Sequence, residues 1–221
     1  MIKVLFIGNS YTFCNDMNII FENICKSAGI DVTTTLITRG GARLDGYSNP
    51  NTQSGEKVNN EIKNHYDYVF LQEQSNLPVV LKEKFHKAVR DLYANISKYG
   101  SEVILYETWA KKMGHEVYKK YNLTVEEMED GLFNAYEEIG KELGIKVSCV
   151  GRCFKYCTDF ELFDCYSTDK SHPSKIGSFI VALCHFKTIF NSLDKVKYYY
   201  EFDEKIFNEL KEIINKCCVE R

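Results

Sequence analysis

Three residues in this sequence are of the types that serine-based acyl transfer needs. Ser10 stands in the run Gly8-Asn9-Ser10, and Asp169 and His172 stand in Asp169-Lys170-Ser171-His172-Pro173. A serine hydroxyl is a weak nucleophile until a neighbouring imidazole takes its proton. A carboxylate on the other ring nitrogen orients the imidazole and stabilises the imidazolium that forms. Asp169 precedes His172 by three residues, near enough to reach the ring through a turn, and Pro173 suits the first turn of a following helix. His65, His86, His115 and His185 have no such partner and read as structural.

Acyl transfer also needs hydrogen-bond donors for the negative charge that develops on the substrate oxygen. Gly40-Gly41 lets a backbone N–H approach a ligand closely. The run Gln72-Glu73-Gln74-Ser75-Asn76 offers amide side chains for the same task. Asn9, beside the serine, and Trp109, the only tryptophan, are candidates for contact with substrate. Trp109 reads equally well as an aromatic packed beneath its loop.

These groups act together only if the fold brings them to one edge. Short apolar or β-branched runs at Lys3–Ile7, Val32–Thr38, Tyr68–Leu71, Val103–Tyr106 and Val147–Val150 read as five strands. Helical spacing covers Asn18–Ala28, Glu56–Asn64, Val79–Tyr99, Val125–Leu143, Ser174–Phe190 and Glu204–Ile214. Strands alternating with helices imply an α/β fold around a parallel sheet. In such sheets ligands bind beyond the carboxyl ends of the strands. The candidates follow strands one to five in order, so all of them fall on that edge; chance would scatter them over both.

Bulk properties narrow the class. The 221 residues suit one domain, 1–221, with a substantial core. A net charge of -3 argues against a nucleic-acid partner. No run approaches the roughly 18 apolar residues of a membrane helix, and Val4–Ile7 is too short for a signal peptide, so no membrane partner and a cytoplasmic location are expected. The nine cysteines read as free thiols in a reducing compartment. Cys149, Cys153, Cys157 and Cys165 show no C-x-x-C pair, so no metal is expected, and the Cys217-Cys218 pair is placed in a polar tail without function.

The sequence resembles the SGNH hydrolases, a branch of the GDSL-type esterases and lipases. Gly8-Asn9-Ser10 stands where that family has Gly-Asp-Ser. Gly40-Gly41 matches the second-block glycine, and Asp169-x-x-His172-Pro173 matches the last block, D-x-x-H-P. The match runs from Ile2 to about Ala182. It implies a three-layer α/β/α sandwich of flavodoxin-like type and Ser–His–Asp catalysis without metal or cofactor. Ser10 would supply the nucleophile and one oxyanion N–H, and Gly41 (or Gly40) a second. The family's G-x-N-D block is missing; a straight overlay gives Gln74-Ser75-Asn76. The segment is more similar to the W-Q-G-E block of sialate and carbohydrate O-acetylesterases, which makes Gln72 the expected third donor, ahead of Gln74 and Asn76. The G-x-S-x-G elbow of α/β-hydrolases is absent.

The expectation is a serine esterase acting on a small-molecule ester, a small acyl or carbohydrate O-acetyl ester. The alternative is a flavodoxin-like binding module whose Gly8–Thr12 loop cradles the phosphate of a flavin or nucleotide.

Overall fold

The computed structural model describes residues 1–218 of the chain. The expected domain 1–221 runs over three further residues, which lie outside the described ones. In chain order the elements are β1 (Ile2–Gly8), α1 (Ser10–Phe13), α2 (Met17–Ser27), β2 (Val32–Thr38), α3 (Leu44–Ser48), α4 (Gln53–Glu61), β3 (Tyr68–Leu71) and α5 (Leu77–Val80). The second half adds α6 (Lys82–Ile96), β4 (Glu102–Tyr106), α7 (Val117–Tyr121), α8 (Val125–Leu143), β5 (Lys146–Ser148), α9 (Val150–Asp159), α10 (Lys175–Phe190) and α11 (Glu204–Cys217).

The five strands form one sheet in the order β2-β1-β3-β4-β5, and every pairing is parallel. This is the flavodoxin-like order, in which the chain reverses its winding between β1 and β3 and opens a crevice at their carboxyl ends. The alternation of side chains along each strand divides the core. Val4, Phe6, Phe70, Ile104 and Tyr106 face one layer, with α2, α9, α10 and α11. Leu5, Ile7, Leu71, Val103 and Leu105 face the other, with α3, α4, α6 and α8. Phe6 anchors the first layer, stacked on Phe70 at 4.9 Å and edge-on to Phe21 at 5.7 Å. His185 is buried beside them with Nδ1 2.8 Å from Ser148 Oγ, and burial takes it down to about 3, so it is a neutral core residue. No helix among the described residues is long and apolar enough to cross a membrane.

Several boundaries differ from the sequence reading. The fifth strand is Lys146–Ser148, and Val150 opens α9 instead of closing the strand. That helix occupies a stretch to which the sequence reading assigned no element, and its buried face is Val150, Cys153, Phe154 and Cys157, at helical spacing with thiols filling apolar positions. The helix expected over 79–99 breaks at Leu81, whose φ/ψ of −140°/48° is not helical.

Two helices approach their neighbours through glycine. A Cβ on Gly151 would lie 2.3 Å from the Thr108 carbonyl oxygen, and one on Gly177 2.3 Å from the Cys165 carbonyl oxygen. Gly177→Ala is therefore expected to cost about 1–3 kcal/mol by overpacking. Gly46→Ala in α3 meets nothing within 4 Å and should be neutral or slightly stabilising. Urea midpoints at unchanged slope check both.

Candidate active site

β1 ends at Gly8 and the chain leaves the sheet at once. Asn9 is extended, at φ/ψ −131°/−153°, and its Oδ1 accepts the Tyr11 N–H at 3.1 Å, capping the single turn that Ser10 opens. Its Nδ2 donates to the Ala42 carbonyl at 3.0 Å. Both ends of this buried amide are engaged, so Asn9 braces the serine loop against the glycine loop and is not the substrate contact expected of it.

Gln72, just beyond β3, holds the same loop from the other side. Its Oε1 accepts the Asn9 N–H at 2.8 Å and the Thr12 hydroxyl at 2.9 Å, while its Nε2 donates to the Glu73 carbonyl. At 1% exposure it faces no ligand. The expectation that Gln72 is the third oxyanion donor is corrected on that ground. Its approach also explains Gly8: a Cβ there would sit 2.6 Å from Gln72 Oε1 and 2.5 Å from Thr12 Oγ1.

Ser10 Oγ lies 2.8 Å from His172 Nε2, and Nδ1 of the same ring is hydrogen-bonded to Asp169 Oδ2. Asp169 Oδ1 accepts the N–H groups of Ser171 and His172, each at 2.9 Å. Partial burial pulls the Asp169 carboxyl up, but the bonds from His172 and the Ser171 N–H outweigh it and bring it down to about 2. The carboxylate is thus ionised wherever the imidazole needs a counter-charge.

The histidine loop is fixed from several sides. The His172 carbonyl accepts the Ser167 N–H at 2.8 Å and the Ser167 hydroxyl at 2.9 Å, and Ser174 caps α10. Trp109 is 1% exposed and stacks between Tyr11, at 4.5 Å, and Phe154, at 4.0 Å. Its Nε1 donates to the Ser171 carbonyl at 3.0 Å. Of the two expectations for Trp109, the packed aromatic is the one realised; it props the loop and does not wall a pocket.

Sequence reasoning missed Tyr11 and Asn15. Tyr11 sets its ring edge-on to His172 at 5.4 Å and places its hydroxyl 2.7 Å from Ser171 Oγ. Asn15 Nδ2 lies within 3.2 Å of the Pro173 and Ser174 carbonyls and 2.9 Å from Ser178 Oγ, tying the serine side to the histidine side. The available signal was the pair Asn15-Asp16, residues that tolerate the left-handed region, where both lie at φ 54° and 53°.

On the far side of Ser10, Gly41 takes φ +66° and Gly40 does not share that region. Among the described residues no backbone carbonyl accepts the N–H of Ser10 or of Gly41, so both can donate to a ligand. Gln74 Nε2 and the Ser75 hydroxyl donate to Asn76 Oδ1 at 3.5 and 3.3 Å, which leaves the Asn76 amide hydrogens without an acceptor among the described residues. Glu73 fixes this corner: its carboxylate accepts the Gln74 N–H at 2.7 Å and the Leu44 N–H at 3.2 Å. Burial pushes its carboxyl up to about 7 despite those bonds.

A nucleophile, an oriented base and free N–H groups at the β1/β3 crevice are the parts of an acyl-transfer site. Solved structures share the fold. A candidate SGNH hydrolase from Slackia heliotrinireducens superposes with TM-score 0.74 at 25% identity, over 85% of this chain and 98% of that one. In fold, this chain is similar to the SGNH hydrolases. A DUF4886 family protein from Bacteroides uniformis gives TM-score 0.81 at 18% identity, covering 97% of this chain and 93% of its own. An acetylxylan esterase from Geobacillus stearothermophilus, in a catalytic variant, gives 0.67 at 15% identity over 89% and 96%. No family model matches this chain, and no curated protein does either. The fold is one that ester hydrolases share.

Two outcomes follow. Gln72→Met strands the buried Asn9 N–H and should cost about 1–3 kcal/mol, with a fall in turnover measured beside it because the serine loop loses its brace. The folded chain holds the Glu73 proton more tightly than the unfolded chain, so this group's contribution to stability is complete below about pH 4.5 and is lost as pH rises through about 7. Over that window wild type should lose stability relative to Glu73→Gln, which keeps the acceptor and removes the titration; melting temperatures of both across pH check it.

Proposed function

We propose that this chain is a serine esterase that removes a small acyl group, acetyl foremost, from a carbohydrate O-ester. The single observation that carries the reading is the 2.8 Å contact between Ser10 Oγ and His172 Nε2, on a ring whose other nitrogen is bonded to Asp169. His172 takes the Ser10 proton as Oγ attacks the ester carbonyl. The oxyanion is met by the N–H groups of Ser10 and Gly41 and by Asn76, in place of Gln72 and ahead of Gln74, whose amide nitrogen is engaged by Ser75 at 3.2 Å. His172 then protonates the leaving alcohol, and water repeats the sequence on the acyl-enzyme to release the acid. No metal or cofactor enters these steps.

Two features support a sugar-like alcohol. A cavity of about 470 Å³, lined by Ile37 and Tyr47 together with the polar side chains of Thr38, Arg39, Gln53 and Asn60 among others, lies beside the strand that leads into the glycine loop. One protein of the same fold is an acetylxylan esterase. The binding-module alternative accounts for the Gly8–Thr12 turn but gives no role to the Asp169–His172–Ser10 chain of hydrogen bonds.

Hydrolysis of p-nitrophenyl acetate tests the mechanism. Ser10→Ala is expected to lose about 10⁴-fold or more in kcat, Asp169→Asn about 10²–10⁴-fold, and Asn76→Ala about 10²–10³-fold. Full activity in Ser10→Ala would contradict the reading.

A further inference from the structure

The histidine and serine loops use none of the cysteine thiols, yet the thiols are not scattered. Cys153 in α9, Cys184 in α10 and Cys218 just past α11 bring their sulfurs together. The separations are 3.5 Å for Cys153–Cys184, 3.9 Å for Cys153–Cys218 and 4.0 Å for Cys184–Cys218. The pair placed by sequence in a polar tail thus folds back: the Cys217 thiol reaches the Arg152 carbonyl at 3.7 Å and that of Cys218 the Cys149 carbonyl at 4.0 Å.

We propose that Cys153, Cys184 and Cys218 form a binding site for a thiophilic divalent cation of the zinc type, a structural clip that joins α9, α10 and the end of α11. A tetrahedral ion with metal–sulfur bonds of about 2.3 Å requires sulfur–sulfur edges of about 3.8 Å. The three measured separations bracket that value, so the ion seats just off the plane of the three sulfurs without moving a helix. Two thiols in contact are ordinary in a core; three in mutual contact, two from different helices and one from the end of a third, form one face of a thiolate tetrahedron.

The surroundings supply what such a site needs. Cys149 and Cys218 line a cavity of about 550 Å³, which gives the ion a path inward. Lys187 lines the same cavity and offsets part of the negative charge that three thiolates leave on one divalent ion, while Arg152 there is paired with Glu107 and Glu137. Cys149, on that wall, is placed to supply a fourth sulfur by a rotamer change, and water otherwise fills the corner. Each ligating thiol releases its proton on binding. The sequence concealed the site because its ligands are 31 and 34 residues apart, with no C-x-x-C pair to announce it.

The test is a Co²⁺ titration of the reduced, chelator-stripped full chain. The expected result is one Co²⁺ per chain with sulfur-to-cobalt charge-transfer bands and the visible bands of tetrahedral cobalt, all abolished by stoichiometric Zn²⁺. Losing a ligand should weaken Zn²⁺ binding at least as much as losing an outer hydrogen-bond partner does, so Cys218→Ser and Cys153→Ser should each lose about 100-fold or more. Cys25→Ala, a buried thiol of α2 outside the cluster, should lose nothing. Zn²⁺ should raise the melting temperature of wild type and not of Cys218→Ser. Circular dichroism verifies the fold of each variant, so the outcome is independent of esterase activity. Absence of the charge-transfer bands in wild type overturns the proposal. So does equal metal binding in wild type and both serine variants. A Cys153–Cys184 disulfide in the isolated chain, with no metal taken up after reduction, overturns it in favour of a redox pair.

Discussion

A serine at the end of a buried parallel strand can face a ligand only if the chain leaves the sheet immediately and the polar groups of the turn find partners. Here Gln72 meets that constraint. It projects from beyond β3 across the β1/β3 boundary and accepts both the Asn9 N–H and the Thr12 hydroxyl with one oxygen. The bond fixes where Ser10 stands, forbids a side chain at Gly8, and leaves Asn9 free to cap α1 with one end of its amide and hold the glycine loop with the other. Glu73, the next residue, anchors α3 through the Leu44 N–H. Two consecutive buried polar residues therefore fix the serine and the donor loop to one strand end.

The imidazole beside Ser10 comes from the far end of the chain, and its placement is a separate problem. Asp169 and His172 are local neighbours, so their pairing needs only the turn at Lys170, at φ 62°. Bringing that turn to Ser10 requires packing across 162 positions of sequence. The stack Tyr11–Trp109–Phe154 does this with apolar surface, and Asn15 does it with hydrogen bonds to the loop that follows His172. Stacked aromatics fix orientation as well as distance, which suits a ring that must present one nitrogen to a serine and the other to a carboxylate.

Much of this was legible in the residues. Val32–Thr38 and Tyr68–Leu71 match their strands residue for residue, because a β-branched run and a short apolar run bounded by turns leave one reading. Val147–Val150 did not match, because the apolar run continues through the turn at Cys149 into α9. Ser10, Asp169 and His172 were singled out by type and spacing, and the fold brings their side chains into hydrogen-bond contact. Gln72 was misassigned because a sequence shows that an amide is present but not which way it faces. The same holds for Trp109, whose burial depends on Tyr11 and Phe154, residues distant in sequence. The thiol cluster was hidden for a related reason: helical packing assembles it, not spacing.

The central claim is that Ser10 carries the acyl group during turnover. Acid-quenched intact and peptide mass spectrometry, on wild type mixed with an excess of an activated acetyl ester, tests it directly. The account predicts a single acetyl group on the peptide containing Ser10, formed faster than steady-state turnover, lost as substrate is exhausted, and absent in Ser10→Ala. An acetyl group on a cysteine instead, or turnover with no acylated Ser10 at any time, would contradict it.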